Sequence, residues 1–167
     1  MLDEFDPAAA TTLDQEFLLL STEALEPTAN LTAAVFRDYE GYYLAGVAAG
    51  VRGSAPIVTP PSSPLVDASV ARFVAGLHSI QPSLSPGVTP GDDLDFGCAI
   101  TTDLGLALRE PLAHILAGNP GGVYSYGVAD NAVAISGCPE STSPEVQAAA
   151  QAIASGDVEI TDPLYFP

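Results

Sequence analysis

Residues Gly121–Gly156, GGVYSYGVADNAVAISGCPESTSPEVQAAAQAIASG, decide the reading of the fold. Val123, Ser125 and Gly127 alternate with Tyr124, Tyr126 and Val128, the period of two that marks a strand. Asp130-Asn131 predicts a turn, because both side chains can satisfy nearby backbone groups and tolerate left-handed geometry. Ala132–Ile135 returns as a second short strand, so the two strands read as a hairpin. Ser143-Pro144-Glu145 then opens a helix, with Ser as N-cap, Pro at the first helical position and Glu in the first turn. Val146, Ala149, Ala150 and Ile153 recur at helical spacing, and Gly156 stops the helix.

Upstream, strands and helices alternate. EFLLLS (Glu16–Ser21), LTAAVF (Leu31–Phe36) and PIVT (Pro56–Thr59) are short apolar runs that predict buried strands. Asp38 to Gly53 predicts a helix with Asp38 as N-cap and Leu44, Val47, Ala48 and Val51 on its apolar face. Leu65 to Ile80 predicts another, burying Val66, Val70, Phe73, Val74 and Leu77. Phe96–Thr101 predicts a strand. Asp103–Ala117 predicts a helix capped by Asp103, with Pro111 placed to kink it or restart it. Val158–Ile160 predicts a short terminal strand. This order predicts an α/β fold, a layered and largely parallel sheet flanked by helices, with a C-terminal hairpin and helix. Its parts are an acidic N-terminal extension (1–14), an α/β half (15–80), a Pro-, Gly- and Asp-rich linker (81–94) and a C-terminal segment (95–167) completing one domain.

The chain has 167 residues, of which 47% are hydrophobic, enough for one buried core despite 15 Gly and 15 Pro. Twenty-one acidic residues stand against four Arg and no Lys, for a net charge of −17. Nucleic-acid and anionic-membrane partners need cations to neutralise phosphate, so both are excluded as expectations. Such an acidic excess implies either a cation or polycation partner or adaptation to molar salt, where the Debye length falls to about 3 Å, and the scatter of the acids, apart from Asp92-Asp93 and Asp95, favours salt. No run approaches the ~20 apolar residues of a membrane helix. MLDEFDPAAATTLDQ has neither the basic nor the apolar part of a signal peptide, so the sequence as written is expected to stay in the cytoplasm unless a leader precedes it. Cys98 and Cys138 fit no zinc or redox spacing. They form a disulfide if their strands are neighbours, or are two buried thiols if not.

The order of Gly121–Gly156, together with Tyr39–Gly50 (YEGYYLAGVAAG), resembles the basic membrane protein family, substrate-binding lipoproteins of nucleoside-type ABC importers. Glu40-Gly41-Tyr42-Tyr43-Leu44-Ala45-Gly46-Val47-Ala48-Ala49 is similar to the family's Glu-Gly-x-[Phe/Tyr]-Leu-Ala-Gly-x-x-Ala helix start. The resemblance implies part of a type I periplasmic-binding fold, in which two α/β lobes close on a solute by a hinge. It also implies an ABC permease as partner, an extracytoplasmic tethered location, and 15–80 as the counterpart of the first lobe. The opening segment of that lobe and the core of the second find no counterpart. Thr102 stands where the family has Lys, and Gly105 where it has Asp.

The candidate ligand-binding residues are Asp38, Glu40, Tyr42 and Thr102. Asp38 and Glu40 either accept ligand hydroxyls or serve as a cap and a carboxylate complementing the helix dipole. Tyr42 and Tyr43 either stack on a base or pack. Thr102 is a candidate through its family position alone. Tyr124 and Tyr126 read as packing. His78 and His114 lie on different helices without an acid–nucleophile pattern, Ser136-Gly137-Cys138 lacks a nucleophile elbow, and the 92–95 acids lack calcium-loop spacing. No catalytic residue, metal or cofactor is expected. Three classes stay open: a solute-binding module taking a nucleoside or other small solute, a truncated structural or interaction domain that pairs with itself or with another subunit, and a small α/β enzyme.

Overall fold

The computed structural model describes residues 16–21 and 29–161; the acidic extension 1–14 lies outside them. The order is β1 (Phe17–Ser21), β2 (Leu31–Phe36), α1 (Asp38–Arg52), β3 (Pro56–Thr59), α2 (Pro64–Ile80), β4 (Gly87–Pro90), β5 (Ala99–Thr102), α3 (Leu104–Leu116), β6 (Gly122–Tyr126), β7 (Val133–Ser136), a 3-10 turn (Pro139–Thr142) and α4 (Pro144–Ser155).

Strands β1, β2 and β6 form a parallel sheet with β2 in the middle. Every residue of β2 is buried, which is why its sequence is an unbroken run of small and apolar residues without alternation. The Thr32 hydroxyl lies within this strand and accepts a hydrogen bond from the Gly121 N–H at 2.9 Å, which anchors the entry to β6. A second parallel pair joins β3 to β4, and an antiparallel pair joins β5 to β7. Helix α3 covers β2 and β6, while α1 packs between α2 on one side and β5, β7 and α4 on the other. The expected α/β architecture with a largely parallel sheet is therefore present.

Helices α1 and α2 approach to backbone contact. A side chain on Gly46 would strike the Phe73 carbonyl and the Leu77 N, and one on Gly76 would strike the Tyr43 carbonyl. The absence of Cβ atoms at this crossing lets Leu77 and Phe73 enter the core completely. Phe73 stacks on Phe96 with centroids 4.7 Å apart, and Tyr42 tilts against the same Phe96 ring at 5.4 Å.

The helix ends follow local chemistry. Ser63, Asp103 and Ser143 each accept a hydrogen bond from a first-turn N–H of the helix that follows. Asp38 differs from its expected role by one position. Arg37 is the N-cap residue, without a side-chain cap, and Asp38 is the first helical residue, where its charge faces the positive end of the helix.

Three expectations about strands are corrected. The first is the hairpin: β6 pairs with β2 and β7 pairs with β5, so the two strands belong to different sheets. Residues 127–132 lie between them and turn the chain away, and the fully buried β2 takes β6 as its second neighbour. The second is β4, which lies inside the stretch expected to be a linker. All four of its residues are exposed, so it carries no apolar pattern, and its backbone bonds to β3 hold it. The third is Val158–Ile160, which is irregular; the Val158 N–H closes onto the Ala152 carbonyl at 3.0 Å instead of joining a sheet.

Cys98 and Cys138 form a disulfide. In the β5–β7 register Ala99 faces Ser136, which would set Cys98 opposite Gly137. Gly137 adopts φ 76°, a left-handed conformation that advances the chain by one residue and brings Cys138 to Cys98. Beside the bridge, Arg52 at the end of α1 ion-pairs with Glu140 in the 3-10 turn at 3.5 Å.

Candidate functional site

The C-terminal ends of β2 and β6 lie side by side, the position where open α/β sheets place ligands. A knot of charge fills this edge. The Arg37 Nε ion-pairs with the Glu40 Oε1 at 2.8 Å, and the Arg37 Nη2 reaches the Asp130 Oδ2 at 3.5 Å. That same Asp130 oxygen accepts the Gly127 N–H at 2.8 Å. The Glu40 Oε2 accepts the Val128 N–H at 2.6 Å, a buried charge-assisted bond. Gly127 sits so close to the ends of Arg37 and Glu40 that a side chain there would have to displace the ion pair. Together these contacts clamp the 127–132 turn onto the start of α1. Asn131 completes the turn at φ 58°, the left-handed geometry expected of its sequence.

Two grooves flank this turn, and both include Asn131 and Ala134. The first holds about 460 Å³ between the turn, β7, Leu44 of α1 and the exposed side of α4. Its floor is apolar, with Leu44, Val133, Ile135 and Val146 buried. Its polar groups are neutral: the Asn131, Gln147 and Gln151 amides and the Ser141 hydroxyl. Among the described residues no charged side chain lines it, in a chain of net charge −17. Such a lining offers paired donors and acceptors over an apolar bed, suited to an uncharged polar solute, and its volume is within the ~300–1,000 Å³ of small-molecule sites. The second groove holds about 440 Å³ and is lined by Thr101, Thr102, Asp103, Leu104, Asn131, Ala132 and Ala134.

The four residues singled out in the sequence occupy different places. Thr102 is exposed and lines the second groove. Glu40 is buried beneath the turn, with both carboxylate oxygens engaged by Arg37 and Val128. Asp38 lies at the start of α1 and accepts a long hydrogen bond of 3.5 Å from the Tyr42 hydroxyl. Tyr42 is half-buried against Phe96; burial raises its phenol pKa, and the Asp38 carboxylate adds to the rise. Neither groove includes Asp38, Glu40 or Tyr42 in its lining.

Gln147, Gln151 and Ser141 were not singled out by the sequence. The four-residue spacing of Gln147 and Gln151 on one face of α4 was the available signal. Tyr126, near the knot, donates to the Glu110 Oε2 at 3.4 Å. Burial pushes its phenol pKa up to about 12, with the Glu110 charge contributing next. His78 contacts the Leu84 carbonyl, and His114 lies against the Tyr124 ring, so the two histidines have separate settings. Among the described residues no three His, Cys, Asp or Glu side chains gather to hold a metal ion. Among them, too, no helix is long and apolar enough to cross a membrane.

No family model matches the chain, and no curated protein matches it. Solved structures do. An ABC transporter solute-binding protein from Conexibacter woesei DSM 14684 superposes with a TM-score of 0.64 at 16% identity, covering 81% of this chain and 67% of that one. An ABC transporter solute-binding protein from Aeropyrum pernix K1 superposes with a TM-score of 0.60 at 14% identity, covering 90% and 71%. At these identities the likeness is one of fold, and it agrees with the α/β architecture described above.

Proposed function

We propose that this chain is a substrate-binding protein of an ABC importer, or a reduced derivative of one, and that it takes an uncharged polar solute of the nucleoside type in the grooves flanking the 127–132 turn. The observation that carries the reading is the first groove. Among the described residues it has no charged side chain although the chain carries −17, and it combines neutral amides with an apolar floor. A nucleoside presents the complement: a flat apolar ring with donors and acceptors at its edge and an uncharged sugar. A nucleotide adds phosphate, which the acidic surface repels.

In this reading Thr102 and Asn131 contact the solute from the second groove, and Gln147 and Gln151 from the first. Glu40 positions the turn through Val128, and Asp38 and Tyr42 hold the start of α1 next to it. The half spanning 15–80 supplies α1 and the segment from 95 supplies the turn and both groove walls. The Cys98–Cys138 bridge favours work in an oxidising compartment, and the scattered acids favour work at high salt.

Thermal unfolding in about 2 M KCl tests this with neutral nucleosides and their monophosphates. A solute present at 100 times its Kd stabilises by about 2.7 kcal/mol, or roughly 5–11 °C for a domain of this size. A rise with a neutral nucleoside and none with its monophosphate supports the reading. Cooperative unfolding that no nucleoside shifts overturns it.

A further inference from the structure

We propose that the outer face of α3 is a self-association surface, through which two copies of this chain pair about a two-fold axis when salt screens their charge. Helix α3 buries Ala107 and Pro111 against the sheet and turns Gly105, Arg109, Leu112 and Leu116 away from it. Leu112 is 41% and Leu116 86% exposed, and Leu104 at the helix start is 49% exposed. At 100° per residue, Gly105, Arg109, Leu112 and Leu116 fall within one narrow stripe. Arg109 makes no ion pair among the described residues.

The stripe is complementary to itself. In an antiparallel pairing with the axis between residues 110 and 111, Leu116 of each copy lies over Gly105 of the other, and Leu112 lies along the aliphatic stem of Arg109. Gly105 offers room for this, since, its own helix backbone and chain neighbours aside, only the Asp103 carboxylate among the described residues comes within 4 Å of where its Cβ would stand. Antiparallel helices also oppose their dipoles favourably.

Charge selects the partner. Two copies at −17 repel at long range, so they can meet only where the surface is neutral. Between Leu104 and Gly118 the charges are Arg109 and Glu110, which cancel, and residues 111–129 contain no Asp, Glu or Arg. That neutral run continues from α3 into β6, whose outer edge has no strand partner among the described residues. The helix stripe is only about 20 Å long, well short of the ~800 Å² per partner of a standard interface, so the pairing is reversible and depends on concentration.

Sedimentation velocity on the full chain tests the surface, at protein concentrations from about 10 µM to 1 mM in about 0.15 M and about 3 M KCl. The expected result is a monomer in low salt and a dimer fraction that grows with protein concentration in high salt, opposite to the trend of an ion-paired interface. Leu116→Glu and Gly105→Gln should each weaken association about tenfold or more, equivalent to about 1.4 kcal/mol. The first removes the knob and the second fills its seat, so Gly105→Gln decides if Leu116→Glu loses cooperative unfolding. A chain that stays monomeric at the highest concentration in high salt overturns the proposal. So does a dimer that both variants leave unchanged.

Discussion

Opening the Cys98–Cys138 bridge should cost this domain much of its stability. The cysteines lie 40 residues apart in sequence and enclose β5, α3, β6 and β7. Closing a loop of that length removes about 13 cal/mol/K from the unfolded chain, or roughly 4 kcal/mol at 25 °C. For a domain of this size each kcal/mol moves Tm by about 2–4 °C, so reduction should lower Tm by roughly 8–16 °C. Both sulfurs are buried, so reduction should be slow in the native protein and fast in guanidinium. The assay is thermal unfolding by circular dichroism with and without a phosphine reductant, alongside Cys98→Ser/Cys138→Ser. A thiol count in denatured, unreduced protein accompanies it. A Tm change under about 2 °C would show that the bridge adds little to stability, and two reactive thiols per unreduced chain would show that it does not form.

Other perturbations probe the knot and the buried phenols. Glu40→Ala removes the acceptor of the Val128 N–H and strips Arg37 of its closer carboxylate, so it should cost about 2–3 kcal/mol by denaturant unfolding, whereas Glu40→Gln keeps an acceptor and should cost about half as much. Equal costs for the two would show that the hydrogen bond to the turn contributes nothing. Tyr126 holds its proton up to about pH 12 in the folded state while the unfolded phenol releases it near 10. The unfolded chain therefore binds fewer protons across that window, so the stability this group contributes is intact below pH 10 and falls as pH rises toward 12. Tyr126→Phe should flatten that part of the curve, and an unchanged slope would contradict the burial of the hydroxyl.

What could be read in the sequence was mainly local chemistry. Ser63, Asp103 and Ser143 cap helices because a short oxygen side chain meets a free N–H within three residues, and this requires no knowledge of the rest of the molecule. Leu31–Phe36 was legible because a strand buried on both faces must be apolar throughout. Pairing was not legible. The second partner of Leu31–Phe36 is β6, about ninety residues further on, and the short gap from β6 to β7 suggested a hairpin that the demands of β2 override. β4 was hidden because its four residues, Gly87, Val88, Thr89 and Pro90, are all exposed, and a single valine makes no apolar pattern. The bridge could be stated only as a condition, since it depends on β5 and β7 being neighbours and on the turn at Gly137.

The site divides in the same way. Glu40 stood out as an acid at a helix start, but its partner, the Val128 N–H, comes from 88 residues away and makes it a clamp on the turn. Asn131 was legible as a turn residue, and only the fold shows that it borders two grooves. Gln147 and Gln151 sit on an Ala-rich helix beside Val146 and Ala150, which were legible as its apolar face and line the same groove.

The most direct test of the central claim is an amide-resolved NMR titration of the chain with a neutral nucleoside in high salt. Saturable shifts are expected, concentrated in the side-chain amides of Asn131, Gln147 and Gln151 and in the backbone from Val128 to Ile135. Gln147→Ala/Gln151→Ala should weaken binding by about tenfold or more, since two amide contacts at roughly 1 kcal/mol each are lost. Absent shifts, or saturable shifts centred elsewhere on the fold, would contradict it.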